Sequence, residues 1–114
     1  MNTIVFERQG ASEMQGFTAF ETPMPLRVLG KRWALPIMKE LVGGSYGRLG
    51  FMELRRRLST ISPKVLSQRL KEMESADLLK RKEKNNTIPK RVQYSLTERG
   101  VTAYKLVNKL AATG

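Results

Sequence analysis

The sequence predicts a mainly α-helical domain carrying a small β-hairpin, dimeric through its terminal helices. Three observations carry this. The stretch from Ile61 to Met73 reads Ile-Ser-Pro-Lys-Val-Leu-Ser-Gln-Arg-Leu-Lys-Glu-Met. Within it Ser62 can cap a helix, Pro63 suits the first helical position, and Leu66, Leu70 and Met73 recur at helical spacing. Further on, Val92, Tyr94 and Leu96 alternate with Gln93 and Ser95, the period of a half-buried strand. Near the end, Val101, Ala103, Tyr104, Leu106, Val107 and Leu110 cover more than one face of a helix, so one apolar stripe is left for a second subunit. A chain of 114 residues with 40% hydrophobic content builds only a modest core, and dimerisation is a natural supplement to it.

Taken in order, residues 1–22 form an arm outside the domain proper, and residues 23–112 form the domain. In the arm, Ile4, Val5 and Phe6 can make a short strand, and Met14, Phe17 and Phe20 fall at spacing three on a possible helix broken by Gly10 and Gly16. Two readings stay open there: a partly ordered arm, or an arm that packs on a second subunit. Pro23 and Pro25 then mark a turn into a short helix with Leu26, Val28 and Leu29, punctuated by Gly30. Trp33, Ile37 and Leu41 recur at spacing four with Ala34 and Met38 alongside, a largely buried helix with Pro36 near its start, ended by Gly43-Gly44-Ser45. Arg48 to Phe51 reads as a very short strand, and Met52 to Leu58 as a short helix with Leu54 and Leu58 inward. Ser59 to Ser62 makes a polar turn into the next helix. Two short helices joined by such a turn form a helix-turn-helix. A turn at Ser75 to Asp77 leads to a two-stranded hairpin with a cationic tip around Asn85-Asn86. Thr97 caps a final helix that runs to about Ala111.

The formal charge is +11, and the chain contains neither Cys nor His. A strongly basic balance favours a phosphate-rich partner or an anionic membrane surface over a neutral small molecule. Between Arg48 and Arg91 stand 13 Lys or Arg against 5 acids, so most of the excess surrounds the helix that Ser62 begins. The absence of Cys and His excludes disulfides, zinc fingers and imidazole catalysis. No glycine-rich phosphate loop is present either, because Gly43-Gly44-Ser45-Tyr46-Gly47 lacks the Gly-Lys-Ser/Thr ending. No enzyme, cofactor or metal site is expected. No apolar run approaches a membrane span and no signal-peptide pattern appears, so a cytoplasmic protein without membrane contact is expected.

Helix, helix, short strand, helix, helix, hairpin, helix is the order of a winged helix-turn-helix. Four runs in that order make the chain resemble a named family: Gly30-Lys31-Arg32-Trp33, Phe51 to Leu58, Ile61 to Leu70, and Tyr94-Ser95-Leu96-Thr97-Glu98-Arg99-Gly100. They look like the HxlR family of transcriptional regulators, relatives of the MarR group. The resemblance implies a homodimer on a partly palindromic operator, each recognition helix in a major groove and each wing beside a minor groove. The chain departs from the family in three places. It lacks the Cys that many members carry near the start of the domain, Asp77 stands where Gly is usual, and Pro36 interrupts a helix that is usually unbroken.

For groove contacts the expected residues are Ser62, Pro63, Lys64, Ser67, Gln68 and Lys71, which gather on the polar face of the recognition helix at about 100° per residue. Gln68 can pair with an adenine edge, and Lys64 with guanine acceptors or a phosphate. Flanking phosphate contacts are expected from Arg55, Arg56, Arg69, Lys82, Lys84, Lys90 and Arg91, with a structural ion pair as the alternative for Arg69. Val101, Tyr104, Leu106, Val107 and Leu110 are the expected dimer surface. The leading function is sequence-specific regulation of transcription on double-stranded DNA. A sequence-tolerant architectural DNA binder and a winged-helix protein-interaction module remain alternatives. The residues specify no small-molecule effector.

Overall fold

The computed structural model describes residues 23–84 and 91–113. Helix α1 (Met24–Leu29) has proline in its first turn and buries Val28. Helix α2 (Ala34–Gly43) buries Ala34, Ile37, Met38 and Leu41. After a 3-10 turn at Ser45–Gly47, strand β1 (Arg48–Gly50) leads into α3 (Phe51–Arg57), then α4 (Pro63–Ser75), strands β2 (Leu79–Lys84) and β3 (Arg91–Leu96), and α5 (Glu98–Thr113).

The helix of Trp33, Ile37 and Leu41 starts one residue later than the spacing predicts. Trp33 is its N-cap, at φ 79, and is half-buried against the core rather than within the buried stripe. Pro36 is the physical reason: a proline has no N–H for the carbonyl four residues back, so the helix cannot extend over Arg32. Placed third in the helix, Pro36 costs no hydrogen bond, because that N–H is an orphan in any helix.

Leu49 is the fully buried residue of β1, while Phe51 opens α3 instead of ending the strand. The N-terminus of α3 is held from inside, with Gly50 N–H donating to Glu53 Oε1 at 2.8 Å. The expected hairpin is part of a three-stranded antiparallel sheet in the order β1-β3-β2, with Arg48 opposite Ser95 and Leu79 opposite Leu96. β3 is therefore central, and every residue from Val92 to Leu96 is half-buried, which flattens the alternation seen in its sequence. Gly44 lets β1 close on α2, since a Cβ there would meet the Leu49 side chain at 2.6 Å.

Leu54 from α3 and Leu58 just after it, Leu66, Leu70 and Met73 from α4, and Leu78 and Leu79 at the entry to β2 close one core with the α2 stripe. Among the described residues no buried residue is polar or charged.

Candidate nucleic-acid interface

Ser62 caps α4 as its sequence predicts: the hydroxyl accepts the Val65 N–H at 3.1 Å and Pro63 takes the first position. With Leu66, Leu70 and Met73 fixed in the core, the opposite face is set. Lys64, Gln68 and Lys71 are exposed on it, as are Ser62 and Pro63 at its start. Ser67 is half-buried and lies at the seam with the hairpin, beside Arg81 and Tyr94. Lys64, Ser67, Gln68 and Lys71 fit within an arc of about 100°.

Arg69 stands apart from this group. Its Nε donates to the carbonyl oxygen of Arg32 at 2.8 Å, and its guanidinium pairs with Glu72. Arg32 is the residue four before Pro36, so its carbonyl is the one proline leaves without a helical donor. Arg69 fills that vacancy from the neighbouring helix. Glu72 also accepts from Lys31 Nζ at 3.0 Å. The Lys31 hydrogen bond, with that of Arg69 beside it, holds the Glu72 carboxyl below its ordinary value of 4.5. Lys31, Arg32, Arg69 and Glu72 thus clamp one flank of α4 to the segment between α1 and α2, leaving Lys64, Gln68 and Lys71 outward.

In α3, Arg57 pairs with Glu40 at 3.5 Å, Arg56 is exposed, and Arg55 is half-buried, its Nε lacking a hydrogen-bond partner. Strand alternation places Arg81, Glu83 and Tyr94 on the sheet face towards α4, and Lys80, Lys82, Lys84 and Arg91 on the other. The expected wing cations Lys82, Lys84 and Arg91 are exposed but lie on the sheet face away from α4; Lys90 lies outside the described residues. The cation that does face α4 is Arg81, absent from the expected contacts. It donates to Glu83 Oε2 at 3.1 Å, and its hydrogen bonds to Tyr94 and Glu83 raise its pKa. Odd numbering in step with Tyr94 across the hairpin is the sequence signal that places it there.

On α5 the five expected dimer residues divide. Tyr104 and Val107 are half-buried, and Tyr104 packs on the core. Leu106 and Leu110 are 63% and 74% exposed on one flank, and Val101, 36% exposed, lies on the opposite flank beside Val42.

A helix-turn-helix followed by an antiparallel hairpin and a C-terminal helix fits a sequence family whose model matches residues 28–114, described as HxlR-like helix-turn-helix. The chain belongs to that family. It is 35% identical over 89 residues to the uncharacterized HTH-type transcriptional regulator YdzF of Bacillus subtilis, covering 78% of this chain and 79% of the relative. A crystal structure assigned to the MarR family, from Enterococcus faecalis V583, superposes with a TM-score of 0.73 at 30% identity, over 100% of this chain and 91% of that one. The reduced form of the transcriptional regulator YodB from B. subtilis superposes with a TM-score of 0.67 at 32% identity, over 76% of this chain and 81% of that chain. The HxlR-family chain is accordingly a winged helix-turn-helix transcriptional regulator, with a DNA-binding domain and not an enzyme fold. Among the described residues no helix is long and apolar enough to cross a membrane.

Proposed function

We propose that this HxlR-family protein binds a partly palindromic operator as a homodimer and reads its sequence through α4. The observation that carries the reading is the division of labour on that helix. Arg69 and Glu72 are spent on holding it, whereas Lys64, Gln68 and Lys71 are exposed on one face whose start is capped by Ser62. A helix held on one flank and polar on the other suits the major groove, where Gln and Lys read base edges. Ser62 and Pro63 bring the first backbone N–H groups of α4 towards a phosphate. Arg55, Arg56, Lys82, Lys84, Lys90 and Arg91 supply flanking phosphate contacts, and Arg69 acts by orienting the helix. The second subunit packs on the apolar flank of α5 that Leu106 marks, 63% exposed.

A mobility-shift titration of the intact protein on promoter DNA tests this. Gln68→Ala is expected to lose discrimination at one base pair per half-site, worth about 1–3 kcal/mol, while Lys82→Ala weakens all duplexes alike. Equal loss on every duplex from both substitutions would favour sequence-tolerant coating of DNA instead.

A further inference from the structure

On the sheet face turned away from α4, a groove of about 680 Å³ opens between the sheet, the end of α2 and the start of α5. Strand register sets Arg48 and Lys80 on either side of Ser95, as its partners in β1 and β2, with Lys82 beside Gln93 one step along. Neighbouring strands lie about 4.8 Å apart, so a hydroxyl stands between two cations roughly 10 Å from one another. Arg81, paired with Glu83, reaches the groove lining as well; Arg48, Lys80 and Lys82 all line the groove, and no Asp or Glu does. None of the three is in an ion pair among the described residues.

The opposite wall is apolar. Tyr46 is 90% exposed, Val42 50% and Val101 36%, with Leu41 and Leu96 behind them. Like charges across a sheet repel, and apolar surface left in water forfeits its transfer free energy. A single molecule relieves both if it joins an anionic group to an apolar body.

We propose that this groove binds an amphipathic organic anion, an aromatic or aliphatic carboxylate. The carboxylate sits between the Arg48 guanidinium, the Lys80 ammonium and the Ser95 hydroxyl, where charge-assisted hydrogen bonds form. The apolar part lies against Tyr46, Val42 and Val101. Duplex DNA fits the groove poorly, because a sugar-phosphate backbone makes no use of the apolar wall and α4 lies on the other side of the sheet. Lys82 belongs both to this rim and to the wing cations, so an occupied groove draws on a charge that the proposed DNA complex uses; that consequence rests on the DNA-binding reading, whereas the site itself does not.

The test is calorimetric titration of the full-length protein, without DNA, using 2-naphthoate, its neutral analogue 2-naphthamide, and acetate. Naphthoate is expected to bind at least about tenfold more tightly than either of the others, and Arg48→Gln or Lys80→Gln to weaken it about tenfold, the loss of one charge-assisted hydrogen bond. Lys105→Gln, a cation outside the groove, should leave it unchanged. Naphthoate is also expected to shift the amide resonances of Ser95 and Val101. Equal binding of naphthoate and naphthamide, indifference to both groove substitutions, or no binding at millimolar concentration would overturn the proposal. So would binding that appears only after residues 1–22 are removed or the protomers separated, since the chain itself would then cover the groove. All of these readouts are independent of whether the protein reads an operator.

Discussion

Pro36 and Arg69 are 33 positions apart, yet each accounts for the other. The proline leaves the Arg32 carbonyl without its helical donor, and the Arg69 Nε supplies one at 2.8 Å. Arg69→Lys keeps the charge but not the fork that reaches Arg32 and Glu72 together; about 1–2 kcal/mol of stability should be lost in a urea titration. Glu72 gives a pH signature. Its folded-state pKa lies below 4.5, so its contribution is full above the unfolded value and disappears as pH falls through the folded one. Glu72→Gln should therefore be less stable than the parent near neutral pH, with the two converging in acid, as denaturation midpoints across pH would show. Asp77 adopts φ 59, the left-handed geometry that glycine adopts without a steric cost. Its turn is kept, with the Asp77 carbonyl accepting the Thr97 hydroxyl at 2.6 Å. Asp77→Gly should raise the melting temperature slightly and Asp77→Val lower it, because a β-branched residue tolerates positive φ worst.

Among the elements, α4 was the most legible in sequence, because its cap, its Pro63 start and its buried stripe all act locally. The start of α5 was legible for the same reason: the Thr97 hydroxyl accepts the Gly100 N–H at 3.0 Å. What local pattern could not carry was the reason for Gly100 itself. A Cβ there would lie 1.9 Å from the Leu78 carbonyl oxygen, a contact made across 22 residues of chain. Gly100→Ala should cost about 3 kcal/mol or more, or prevent folding, in thermal melts followed by circular dichroism. The Arg32 carbonyl as a partner of Arg69 and the pairing of β1 with β3 were hidden for the same cause, since both join groups distant in sequence, whereas an ion pair for Arg69 was legible as an alternative. Periodicity showed that the apolar residues of α5 cover more than one face, but only packing separates the Tyr104 face from the Leu106 flank. If that flank holds the second subunit, Leu106→Glu should yield monomers in sedimentation equilibrium at concentrations where the parent is dimeric.

At the scale of the whole molecule, the +11 charge and the exposed face of α4 point to one polyanion. With about four phosphates neutralised per subunit, log affinity against log salt should fall with a slope of about −7 for a dimer. A charge effect of this kind would not by itself distinguish a reader of sequence from a coat. Sequencing the duplexes that the purified protein retains from a random library at physiological salt does so. The account predicts enrichment of two inverted half-sites about one helical turn, or 10 base pairs, apart. Retention of DNA with no enriched sequence would contradict it.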